Sequence, residues 1–292
     1  MPLPSAAVLL GLLAALGFGA SSITAKRGLA YVNPHTGTLI SLSTTVALYL
    51  LCAPWWMHGR DWFTPGFWIF VINGLMHPML SMYFAFEATS RTGATVAATL
   101  SSTTPLFATA TAIVFLGESP STAVVIGTLA TVGGIAVLSW SPAGISRLML
   151  AALLFATGAA IIRGLNHTVG KFGLELLPNV FMASFVSFFT ALCGTLILYR
   201  VRFGDFPTRV GGRGLAYFVI TGALIAAAIL CMYGALARGE VVAVSPLIAS
   251  YPLFTFLIAV SLGQDVLTRR LLAGVIAVVG GVIIISVASA AY

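Results

Sequence analysis

The sequence predicts an all-α integral membrane protein with ten transmembrane helices, arranged as two inverted five-helix repeats around a central cavity. Three observations predict this. Of 292 residues, 59% are hydrophobic and only 7% are charged. The apolar residues come in runs of about 20, the length that crosses a bilayer as a helix. The second half of the chain repeats part of the first at a constant offset.

Composition excludes a water-soluble fold, because soluble domains carry roughly 25% charged residues. In lipid only helices and closed barrels satisfy their own backbone. Barrel strands are about 10 residues long and alternate strictly. The runs here are longer and nearly continuous, so they read as helices. In chain order the expected spans are 4–26, 36–57, 66–87, 93–116, 121–140, 147–170, 178–199, 213–236, 241–262 and 269–289. Asn33-Pro34, Thr64-Pro65-Gly66, Ser119-Pro120, Ser141-Pro142-Ala143-Gly144 and Gly211-Gly212 punctuate them as turns. The one sizeable polar connection runs from Arg200 to Arg213. The spans leave no length for a soluble domain.

The chain carries 14 Lys and Arg against 7 Asp and Glu, a net charge of +7. The basic residues lie between apolar runs, which points to membrane orientation rather than to nucleic acid. Cys52, Cys193 and Cys231 sit in or beside apolar runs with no CxxC spacing, and read as small hydrophobes. Met1 to Ser5 has no basic residue, so the first apolar segment is expected to remain as a helix rather than be cleaved.

Shifted by 147 residues, 88–139 lies over 235–286 without a gap and shows 13 identities in 52 positions. Leu and Ala matches mean little between apolar helices. Pro105-Leu106-Phe107 over Pro252-Leu253-Phe254 and Gly133-Gly134 over Gly280-Gly281 mean more. Glu118 falls on Asp265. The expected halves are 1–140 and 141–292. Five spans is an odd number, so the second half must enter the membrane upside down. Inverted repeats recur in secondary transporters, with the substrate near the midplane between the halves.

The stretch Leu100-Ser101-Ser102-Thr103-Thr104-Pro105-Leu106-Phe107, then Leu116-Gly117-Glu118 and Gly133-Gly134, resembles the EamA repeat of the drug/metabolite transporter superfamily. Its second copy reads Ser250-Tyr251-Pro252-Leu253-Phe254, Leu262-Gly263 and Gly280-Gly281, with Gln264-Asp265 where a Glu is usual. The resemblance covers the whole chain. It implies a ten-helix exporter in a bacterial inner membrane, most similar to exporters of aromatic and other hydrophobic amino acids, with no cofactor. It also implies that both termini face the cytoplasm. The charges argue the reverse: ten Lys and Arg flank one side and four flank the side that holds the termini. The sequence leaves both orientations open.

Asn73, His77 and Ser81 are spaced by four on the third span and would share one face of a straight helix. Polar groups at that depth face a cavity or another helix. They are expected to line the substrate cavity and hydrogen-bond a zwitterion, the alternative being a bond that only joins helices. Ser102 and Thr103 precede Pro105 on the fourth span, and Ser250 and Tyr251 precede Pro252 on the ninth. Proline frees a backbone carbonyl and weakens the helix. Pro78, Pro105, Pro246 and Pro252 are therefore candidate hinges. Tyr83, Phe86, Tyr233, Tyr251, Phe254 and Phe256 are candidates for an apolar pocket wall. Arg163, Asn166 and His167 lie late in the sixth span, where Arg163 is expected to snorkel to the interface. The first helix holds no acid, unlike the proton-coupled small multidrug members that the superfamily resemblance brings in. Facilitated movement is therefore the simpler expectation, with His77 the alternative titrating group.

The expected partners are the lipid bilayer and a small solute, with no nucleic acid and no metal. The sequence leaves the oligomeric state open and is compatible with a monomer. HExxH, GxSxG, P-loop and CxxC patterns are absent, which disfavours an enzyme. A carrier of phosphorylated metabolites would need clustered buried cations, and only Arg163 lies in mid-span. A structural membrane subunit is the remaining alternative.

Overall fold

The computed structural model describes residues 5–101, 103–139, 147–205, 210–263 and 269–290. Among these residues every regular element is helical. The helices are α1 (Ser5–Gly28), α2 (Pro34–Trp56), α3 (Pro65–Gly74), α4 (Ser81–Ser101), α5 (Thr104–Leu116), α6 (Thr122–Ser139), α7 (Arg147–Leu176), α8 (Val180–Phe203), α9 (Gly212–Leu236), α10 (Val241–Ala249), α11 (Tyr251–Ser261) and α12 (Arg269–Ala290). A short 3-10 turn (Gly59–Phe63) precedes α3, and a π turn (Leu75–Leu80) joins α3 to α4. The third span runs through α3, the π turn and α4 as far as Arg91, α5 carries the fourth, and α10 with α11 make the ninth. The fold is thus a ten-helix membrane bundle. The expected boundary between the halves, at 140/141, lies outside the described residues.

Local chemistry starts and stops these helices. Asn33 and Asn179 cap α2 and α8, accepting the backbone N–H of Thr36 at 2.9 Å and of Met182 at 3.1 Å. Gly117 after α5 and Gly263 after α11 both adopt left-handed backbone, with φ of 67° and 66°. A side chain is costly there. The same stop thus closes the fourth span of the first copy and the ninth span of the chain.

The inversion shows in the packing. The opening helix of each half crosses into the other half. Helix α1 packs against α9 and α11, while α7 packs against α4 and α5. Likewise α2 packs on α9 as α8 packs on α3, and α6 lies along α12. Each half therefore lacks a complete partner set alone. The α2–α9 seam is stitched by hydroxyls on one face. Ser41, Thr45 and Tyr49 donate to the carbonyls of Phe218, Gly222 and Ala226 at 3.3, 2.8 and 2.9 Å. Donors and acceptors both advance by four residues, one helical turn. Interhelical bonds of this kind contribute about 0.6 kcal/mol each in a membrane.

One expectation changes. The sequence places a break between the third and fourth spans near 88–92, but α4 runs through it. Ala88 to Thr92 contains no proline, and Glu87 and Arg91 form an i,i+4 ion pair that supports continuous helix. The break falls instead at His77, whose backbone is extended (φ −132°, ψ 119°). Residues before proline are pushed out of the helical region, and Pro78 is the next residue. Asn73, His77 and Ser81 therefore do not share one straight helical face.

Small residues set the α6–α12 distance. A Cβ on Gly127 would stand 2.6 Å from Ile285 Cγ1 and 2.8 Å from the Gly281 carbonyl. One on Gly134 would stand 2.7 Å from Val278 N. Gly133 and Gly280 meet nothing within 4 Å, so half of each Gly-Gly pair has no packing role. Gly127→Leu is expected to push the two helices apart at a cost of about 1–3 kcal/mol. Gly133→Leu should cost far less. Thermal unfolding of the two variants in detergent checks the difference.

Candidate functional site

A partly open cavity of about 110 Å³ lies between the two halves at the breaks in the helices. His77, Pro78 and Ser81 reach it from the third span, Thr104 from α5, and Arg163 and His167 from α7. Tyr251 and Thr255 reach it from α11, and Ser21 and Ser22 from α1. The remaining wall is mainly apolar, with Phe18, Phe86, Phe188 and Met232 its large members. No Asp or Glu lies among the described residues that line it.

The break at His77 makes this geometry. It turns the imidazole toward Ser81, whose Oγ lies 2.7 Å from Nδ1. His77 Nε2 is buried and has no partner. His167 is held in a similar way, with Nδ1 2.8 Å from Ser245 Oγ. That contact ties α7 to α10. Arg163 Nη1 donates to the Tyr251 hydroxyl at 3.4 Å. The expectation that Arg163 snorkels fails, since its side chain turns into the cavity.

Of the residues expected at the site, His77, Ser81, Tyr251 and Pro78 meet at the cavity, as does Phe86. Asn73 does not. It is buried behind the wall, where its Nδ2 donates to Asn166 Oδ1 at 2.7 Å and contacts the Tyr233 hydroxyl at 3.2 Å. Tyr233 closes the triangle by donating to Asn166 Oδ1 at 3.1 Å. This network joins the third span, α7 and α9. Tyr83 stacks on His35 instead, with ring centroids 4.2 Å apart. Ser250 is buried and donates to the Leu247 carbonyl at 2.6 Å. Thr103 precedes α5 without lining the cavity. Ser102 lies outside the described residues, as do Gln264 and Asp265. Pro105 and Pro252 begin α5 and α11, where no helical N–H is lost, and Pro246 is buried inside α10.

Sequence reasoning missed Ser21, Ser22, Thr89 and Thr255 as cavity residues. Each is one small hydroxyl among many in apolar helices, and no spacing singles it out. Arg163 and His167 carried a signal, as a cation and an imidazole in mid-span, that the snorkelling argument discounted.

A second cluster holds the cavity wall from one end. Glu118 accepts the backbone N–H groups of Val241 and Val242, both at 2.9 Å, at the start of α10. Lys171 donates to the carbonyls of Leu236 and Gly239, at 3.3 and 2.8 Å, at the end of α9. An acid at a helix start and a base at a helix end both complement the helix dipole. Together they fasten the α9–α10 turn to the first half and to α7.

A mainly apolar cavity with a few polar groups, set between two inverted helical repeats, is the arrangement of a membrane carrier. The EamA-like transporter family profile matches residues 5–140 and 150–287. The chain belongs to that family, whose members are transporters and not enzymes. A solved structure described only as the crystal structure of a protein is similar over 98% of this chain and 98% of its own, with a TM-score of 0.81 and 19% sequence identity. That likeness concerns the fold alone. No curated protein matches the chain in sequence.

This geometry has two testable outcomes. Asn73→Ala removes the cross-helix bonds to Asn166 and Tyr233, at a cost of about 1–2 kcal/mol. It should lower thermal stability in detergent while leaving the substrate concentration for half-maximal flux within about twofold. Burial pushes the Glu118 carboxyl up from its usual 4.5, and Glu240 adds to the rise. The Val241 and Val242 N–H groups and Lys171 oppose it. The fold therefore favours the protonated acid. Stability from this site is fully present below the unfolded value and is lost as pH rises through the folded one. The melting temperature of the wild type should fall relative to Glu118→Gln as pH is raised from about 4 to about 7.

Proposed function

We propose that this transporter exports neutral, hydrophobic and aromatic amino acids by alternating access of its two halves, without a carboxylate-borne proton, in the inner membrane of a bacterium. The observation that carries the reading is the composition of the cavity. It offers a mostly apolar wall with a few hydroxyl, imidazole and guanidinium groups. Such a lining suits a small solute with one polar end and one greasy end. The absence of Asp and Glu from the described lining supports facilitated movement. The extended His77 and the separation of α10 from α11 at Ser250 supply interrupted helices on which the halves can rock.

Purified protein in liposomes, assayed with a panel of labelled amino acids, tests the reading. Leucine and phenylalanine should exchange faster than in protein-free liposomes, and lysine and glutamate should not. An imposed pH step should cause no accumulation against the gradient. His77→Ala, folded as judged by its melting temperature, should lose about tenfold in flux, one hydrogen bond's worth. Equal permeability with and without the protein for every member of the panel would sink the amino-acid assignment.

A further inference from the structure

Among the described residues the cavity holds a cation without a counter-ion. The Arg163 guanidinium is half-buried near the middle of α7, and no described carboxylate forms an ion pair with it. A cation at this depth is costly unless something compensates it. On its own helix the next charged group is Lys171, whose ammonium is engaged by backbone carbonyls. Glu118 is committed to the start of α10. The Tyr251 hydroxyl is the group from α11, and a hydroxyl carries no charge. The protein itself supplies no described counter-ion.

The neighbouring groups are also biased toward donors. Tyr251 accepts from Arg163, so its own proton remains free to donate. When the Ser81 hydroxyl donates to His77 Nδ1, Nε2 carries the imidazole proton, and that nitrogen has no partner. Thr104 adds a hydroxyl to the lining. A planar guanidinium matches the two oxygens of a carboxylate. By contrast, an ammonium group would find hydroxyls and aromatic faces there but no described acid.

We propose that Arg163 and Tyr251 form a carboxylate clamp in the central cavity, so that the substrates are small apolar monocarboxylates whose α-ammonium group is dispensable. This rests on the cavity being the substrate chamber of the proposed carrier, and makes its chemistry specific. The bound carboxylate neutralises Arg163, and the side chain of the solute lies along Phe18, Phe86, Phe188 and Met232. Arg163 is the one Lys or Arg among the described lining residues, which favours a monoanion over a phosphate ester.

Two measurements test it. The first is thermal stabilisation of the detergent-solubilised chain by 3-phenylpropionate, phenylalanine, phenylalanine amide and phenyl phosphate. The second is competition by the same probes against labelled phenylalanine flux in liposomes. The two acids should stabilise the protein and compete, and the amide and the phosphate ester should do neither. Arg163→Gln should weaken binding of the acids by about 10- to 100-fold. Arg163→Lys should recover part of it, and Tyr251→Phe should cost less than Arg163→Gln. The lysine variant keeps the test open if the glutamine variant does not fold. An amide that binds as well as the acid overturns the clamp, as does acid binding indifferent to Arg163. Tighter binding of phenyl phosphate overturns the choice of monocarboxylates. Arg163-dependent binding of the acids with no amino-acid flux would uphold the clamp and remove the amino-acid reading instead.

Discussion

A bilayer interior offers no hydrogen-bond partner, so every polar group that this chain buries must be answered by another helix or by an enclosed chamber. The rest of the structure depends on that constraint. The hydroxyls of α2 answer to the carbonyls of α9. Asn73 answers to Asn166 and Tyr233. Glu118 and Lys171 answer to the exposed backbone of the α9–α10 turn. His77 Nε2 has no protein partner and stands at the cavity wall, where a solute can take the partner's place.

The same bonds explain why neither half stands alone. Helix α1 is seated in the second half and α7 in the first. The polar networks cross that exchange, so they hold the halves in register where apolar packing against lipid would distinguish poorly among alternatives. Close glycine contacts serve α6 and α12 in place of hydrogen bonds, since two helices that approach backbone to backbone gain dispersion contacts along their length. The cavity lies at the breaks in the third and ninth spans, at His77 on one side and at Ser250 on the other.

Much of this was legible without coordinates. The spans, their number and the repeat could be read from apolar run length and from the paired Pro-Leu-Phe and Gly-Gly motifs. His77, Ser81 and Tyr251 were legible as cavity-lining residues because polar side chains in mid-span beside prolines are rare. Asn73 was misplaced because the i,i+4 rule assumes a straight helix, and the extended backbone at His77 breaks it. Tyr83 was misplaced for a related reason, since the π turn rotates the start of α4, and the ring meets His35 instead. The continuous helix at 88–92 was missed because a polar stretch of five residues reads equally as a turn or as a solvated helical segment.

The sequence by itself determined what depends on one residue's solubility or one helix's length: that the chain lives in lipid, that it is helical, that it has two copies of one unit, and how many spans those copies make. Only the tertiary structure decided which buried polar groups face a partner and which face the chamber. A side chain's hydropathy says that it needs an answer, but the direction of that answer depends on backbone breaks and on helices from the opposite half, distant in the chain. Arg163 shows the difference: its charge was plain in the sequence, and its place at the cavity depends on where α7 meets α11.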